Sequence, residues 1–259
     1  MSGPAFKPSS FLATKGVMAE ATFRAFQCWN LDATTAENVA TIRQTNPIGG
    51  PSVGWLKDFG KILLRRFDPD GPDRLLVELA QQGWDLETWR PVLLWHASRT
   101  DPLLTDFLGN WLFGLRDQGI VLINTQAAVD FLRTYLKRHL GPGKTWSESN
   151  LTQSASGLLR TGVEFHLLRG RAAKQFEPYR LPERSFFYLL HVLMAKYGST
   201  DRMLHAPDWR LFLLRSSDIE EELLRLHQFT KLRYERAGSM MELTLPHRTL
   251  TEYLRSTAS

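Results

Sequence analysis

Cysteine is almost missing from this chain: its 259 residues hold one, Cys28. A lone cysteine excludes an internal disulfide and a cysteine-based metal site. It leaves a reducing, cytoplasmic compartment as the expectation. Long apolar runs are missing too. The most apolar stretch, Ser185 to Ala195, lies beside charges and is far shorter than the roughly 18 residues that span a bilayer. No membrane is expected as a partner, and Met1 to Ser10 lacks the basic-then-apolar order of a signal peptide. Catalytic signatures are missing as well. Ile48-Gly49-Gly50-Pro51 lacks the Lys and Ser/Thr of a phosphate-binding loop. There is no His-Glu-x-x-His or Gly-x-Ser-x-Gly, the seven histidines are scattered, and Asp68, Asp70 and Asp73 are separated by prolines that make a turn. Cys28, beside Trp29 on an apolar helix, reads as a buried, inert thiol. No enzyme, metal or cofactor is expected.

What the chain does have is an uneven charge. Residues 1–125 carry 12 Lys/Arg against 13 Asp/Glu, whereas 126–259 carry 20 against 14. The excess concentrates in 133–184, with 10 basic and 4 acidic residues. Such an excess is either a footprint for phosphates or a solvated basic face.

Apolar residues recur at helical spacing through most of the sequence. We expect helices over about 14–29, 35–45, from Pro51 to about Phe67, 73–82, 85–98 and 101–117, with Asp85 and Asp101 as N-caps, Pro102 in a first turn and Gly119 as a stop. The tryptophans of this first half fall on apolar stripes and read as core. Three segments result: a helical bundle over 1–125, a winged helix-turn-helix-like segment over 126–182, and C-terminal helices with a β-hairpin over 183–259.

The middle segment carries the functional pattern. A helix over about 126–140 is followed by the connector Gly141-Pro142-Gly143-Lys144. Thr145-Trp146-Ser147-Glu148 then reads as a capping box opening a helix to about Thr161. Strands at 163–168 and 175–180 would form a wing around Arg169-Gly170-Arg171-Ala172-Ala173-Lys174. Such a module lays its second helix in the major groove and its hairpin near the backbone. On the second helix, Leu151, Ala155, Leu158 and Leu159 share one face; Asn150, Gln153, Ser154, Gly157 and Thr161 share the opposite one. Short polar side chains there, with Ser149 beside them, suit base edges. Lys137, Arg138, Lys144, Arg160, Arg169, Arg171 and Lys174 would neutralise phosphates. The last 60 residues echo this layout, with a helix over 217–229 and a hairpin over 231–245. There Glu220-Glu221-Glu222 repels phosphate and points to a structural or protein-contact role, although Lys231, Arg233 and Arg236 remain possible secondary DNA contacts.

Several stretches together resemble the BrxA family of bacteriophage exclusion (BREX) defence systems. They are Trp55-Leu56-Lys57-Asp58-Phe59, Leu63-Leu64-Arg65-Arg66-Phe67, Leu103-Leu104-Thr105-Asp106-Phe107, Ser147 to Leu168, Leu181-Pro182-Glu183, Tyr188-Leu189-Leu190, Leu204 to Phe212 and Leu250-Thr251-Glu252-Tyr253-Leu254. The resemblance implies a mainly α, NusB-like helical bundle with winged-helix character and short β-hairpins in the C-terminal half. It also implies double-stranded DNA binding, operation beside a methyltransferase and a large ATPase, and no catalytic residue. Three functions stay open: a DNA-binding accessory protein, an assembly adaptor for other defence proteins, and, by fold analogy only, an RNA binder.

Overall fold

Gly16 and Met18 divide the first expected helix. Both take positive φ, 77° and 59°, which no α-helix contains. The computed structural model, which describes residues 7–141, 143–238 and 240–257, therefore opens with a short α1 (Ser10–Lys15) and a separate α2 (Ala19–Gln27). Cys28 caps α2 and faces solvent, correcting the expectation of a buried thiol: it lies one residue past the helix, while Trp29 takes the buried position.

The next helices follow the sequence signals closely. They are α3 (Thr35–Thr45), α4 (Val53–Arg66), α5 (Arg74–Gln81) and α6 (Leu86–Thr100). Asp85 caps α6 by accepting from the Thr88 amide at 2.8 Å, and Asp101 accepts from Leu104 at 3.1 Å. The helix that follows runs as α7 (Pro102–Asp106), a π-helical stretch (Phe107–Leu112) and α8 (Phe113–Asp117). Trp29, Trp84, Trp89 and Trp95 are buried, and Trp55 and Trp111 pack half-buried on the core.

A short strand the sequence did not announce, β1 (Leu122–Ile123), precedes α9 (Thr125–His139) and α10 (Glu148–Glu164). Then come β2 (Leu168–Arg169), shorter than expected because α10 continues through Glu164, and β3 (Lys174–Phe176). β3 is central: Ile123 pairs with Lys174 on one side and Arg169 with Gln175 on the other, both antiparallel. Gly141 and Gly143 adopt positive φ in the α9–α10 connector. Pro142 of that connector and Ser239 of the C-terminal turn lie outside the described residues, as does most of the 1–10 stretch.

The C-terminal part comprises α11 (Glu183–Tyr197), α12 (Thr200–Leu204), a 3-10 turn (Pro207–Phe212), α13 (Ser216–Gln228), the hairpin β4 (Arg233–Ala237) and β5 (Met240–Thr244), and α14 (Leu250–Thr257). Tyr234 is buried between exposed Arg233 and Glu235, the alternation a half-buried hairpin requires. The protein is mainly helical, with two small antiparallel sheets. One contiguous apolar cluster draws buried residues from 1–125, 126–182 and 183–259 alike. Among the described residues no helix is long and apolar enough to cross a membrane.

Candidate nucleic-acid interface

Ser147, not Thr145, caps α10: its Oγ accepts from the Asn150 amide at 3.3 Å. Glu148 is thereby freed from the expected capping box. It pairs instead with Arg133 of α9 at 2.7 Å, so its charge is still satisfied internally.

At about 100° per residue, α10 carries three stripes. Leu151, Ala155, Leu158 and Leu159 are buried, as expected for the face toward α9. Ser154, Gly157 and Thr161 are buried as well, which corrects their assignment to an open polar face. The cause is α1. Ser154 Oγ donates to Ser10 O at 3.4 Å and lies 3.2 Å from Thr14 Oγ1. A Cβ on Gly157 would stand 2.1 Å from Ala13 O, so only glycine permits this crossing. Ser154 is therefore a helix-packing residue and cannot reach a base.

The third stripe is the open one. Ser149, Gln153 and Arg160 are exposed, as expected, together with Thr152 and Ser156, which the sequence reading passed over. Asn150 is exposed beside them in the first turn. Arg160 Nη2 donates to Thr14 O at 2.5 Å, which fixes the guanidinium at the rim of α1. The open stripe is thus short, polar and almost uncharged, with one cation toward its C-terminal end.

The β2–β3 turn depends on Gly170. Its φ is +106°, and a Cβ there would stand 2.4 Å from Ala173 O. Lys174 folds back over the turn, its Nζ donating to Gly170 O at 2.7 Å and Arg171 O at 2.5 Å. Arg169 and Arg171 are exposed. Lys174 therefore shapes the tip while the two arginines extend from it. On α9 and its connector, Lys137, Arg138 and Lys144 are exposed.

These cations share a property that the charge sum could not reveal. Along the chain the Lys and Arg ion pairs stop at Arg133 and resume at Arg180. All seven Lys and Arg residues between them lack a carboxylate partner within 4.0 Å among the described residues. The C-terminal hairpin differs. Lys231 pairs with Glu183, Arg233 with Glu235 and Arg236 with Glu220. These three are neutralised, which argues against their role as secondary DNA contacts. Glu220 and Glu222 are consumed in the same way, Glu222 by Arg180 and Arg225, leaving Glu221 as the unpaired member of the acidic run.

A buried polar cluster holds α1 in place beneath this surface. Arg66 Nη2 donates to Leu12 O at 3.2 Å and to Asp101 Oδ2 at 2.9 Å. Glu164, at the end of α10, accepts from the Ala19 amide at 2.5 Å, and burial pushes its carboxyl above the usual range. The buried His96 bridges Asp73 at 2.5 Å and Tyr188 at 2.8 Å. Burial holds its imidazole below the ordinary value against the pull of Asp73. The histidine is buried, and its bonds tie α5, α6 and α11 together.

The BrxA family model matches residues 9–191. Among solved structures, the chain is similar to the crystal structure of an uncharacterized protein from Magnetospirillum magneticum. The two share 15% identity over 82% of this chain and 100% of the other, with a TM-score of 0.58, a likeness of fold alone. No curated protein matches.

Proposed function

The chain belongs to the BrxA family of bacteriophage exclusion defence proteins, and on that premise we propose that it is a non-enzymatic, cytoplasmic protein that grips duplex DNA through α10 and the β2–β3 wing. The observation that carries this is the run of seven cations from Lys137 to Lys174 without a carboxylate partner among the described residues, in the same stretch of chain as the polar, solvent-facing stripe of α10. A cation already held by a carboxylate brings little net charge to a phosphate, whereas one without such a partner is ready to displace counterions. The topology supports the same reading. A strand, two helices and a hairpin, with the first strand joined to the last, follow the order of a winged helix, in which the second helix and the hairpin tip would meet one duplex. Ser149, Asn150, Thr152 and Gln153 can meet base edges, and Lys137, Arg138, Lys144, Arg160, Arg169 and Arg171 the phosphates.

Replacing Arg169, Arg171 and Lys174 by Ala tests the wing. The variant should bind a short duplex more weakly whatever its sequence, and the slope of log affinity against log salt should flatten by about 2. Binding like the parent's would remove the wing from the interface.

An adaptor role is the second reading. Ile120, Val121 and Leu122 are consecutive, apolar and exposed beside the outer edge of β1, a place where another defence protein could dock. A stoichiometric complex with the system's ATPase or methyltransferase, without duplex binding at low salt, would favour it.

A further inference from the structure

The first half of the chain sums to a net charge near zero, yet α4 does not share that balance. Its exposed positions Lys57, Lys61 and Arg65 follow one another at four-residue spacing and form a single ridge of cations. The nearby carboxylate is Asp58, shared between Lys61 at 3.1 Å and Lys15 of α1 at 2.9 Å. Lys57 and Arg65 have no carboxylate partner among the described residues. The ridge is also tied to α1. Lys61 Nζ and the Arg65 guanidinium sit 5.6 Å and 5.1 Å from the centroid of the Phe11 ring, and Arg66 holds Leu12 O.

The placement of α1 gives the ridge a position relative to α10. α1 covers the Ser154–Gly157–Thr161 edge of α10, beside its open stripe, while Leu168 of β2 packs against Gly162 within the buried face turned to α9, where an added Cβ would lie 2.8 Å from Leu168 Cδ1. The open stripe of α10 is therefore flanked on one edge by α1, backed by α4. A groove of about 630 Å³, lined by Lys15, Trp55, Arg160 and Val163 among others, runs between α4 and the end of α10. The two acids beside it are occupied: Glu20 pairs with Arg24 and Glu164 accepts from Ala19.

A major groove is about 12 Å wide, so its walls stand about 6 Å from the axis of a helix lying in it. Packed helices lie about 8 to 10 Å apart. With α10 in the groove, α1 and the cations behind it meet the phosphate wall, not the bases. The geometry points to α4 as a second phosphate-contact strip, with Lys57 and Arg65, the ridge cations without a carboxylate partner, gripping the backbone of the same duplex on the side of α10 that α1 covers. This rests on the duplex-binding reading above.

The test compares three proteins on one short duplex across a salt series: the parent, the wing variant Arg169→Ala/Arg171→Ala/Lys174→Ala, and a ridge variant Lys57→Ala/Lys61→Ala/Arg65→Ala. The ridge variant should lose about tenfold or more in affinity at low salt, with its salt slope flattened by about 2, comparable to the wing variant. Lys57→Glu alone, at a position with no bonded side-chain partner, should weaken binding in the same direction. It decides the matter if the triple variant melts early. Parent-like binding by both ridge variants, with the wing variant weakened, overturns the strip and leaves the wing in place. Absence of salt-sensitive binding in the parent overturns both together.

Discussion

His191 lies on α11 with its Nε2 buried and unpartnered, stacked on Tyr253 of α14 with ring centroids 5.4 Å apart. Burial disfavours its imidazolium, and His247 adds to the effect against a weaker opposing pull from Glu252, so its pKa is lowered to about 4. A histidine depressed in the folded state gives stability that is present above the unfolded value of 6.5 and lost as pH falls toward the folded one. His96 acts with the same sign. The melting temperature should therefore decline between pH 6.5 and about 4. His191→Phe, which keeps the ring stack and removes the orphaned nitrogen, should shallow that decline without lowering stability at pH 7. An unchanged acid slope in that variant would show that the proton enters elsewhere. The same residue-scale logic explains Cys28. Its neighbour Trp29 is buried, but one step along a helix terminus reverses the side a residue faces, and composition does not record that step.

At the scale of elements, the contact between α1 and α10 decides what the interface is. Gly157→Ala would place a methyl group 2.1 Å from Ala13 O. Forcing it in should cost about 1 to 3 kcal/mol, read as a lower urea midpoint with an unchanged m-value. Ser156→Ala, one position away on the open stripe, should stay within about 0.5 kcal/mol of the parent. Equal stability of the two variants would mean that α1 does not lie where described. This contact also marks the limit of what the sequence disclosed. Local periodicity gave α3, α6 and α9 almost to the residue, because each carries its own N-cap and apolar stripe. It placed Ser154 and Gly157 on an open face because α1 arrives from about 140 residues upstream and leaves no local trace. Small residues there looked like room for a ligand; they are small because a backbone fills the room. β1, two residues long with an exposed partner at Leu122, had no alternation to announce it.

For the whole molecule, the charge pattern outlasts the sums that first revealed it. The basic excess over 133–184 was visible in composition, and all of its cations except Arg133 and Arg180 lack a carboxylate partner among the described residues. The ridge on α4 was invisible in the same count, since acids elsewhere in the first half cancelled it. What a polyanion meets is a surface of unpaired groups, not a total. The central claim is that this surface grips a duplex by releasing counterions. The measurement that reaches it most directly is the equilibrium affinity of the unmodified protein for duplex DNA across a salt series. The account predicts a straight line of log affinity against log salt with a slope between about −5, from α10 and its neighbouring cations alone, and about −7 with α4 included. Binding that ignores salt, or no binding at the lowest salt, would contradict it.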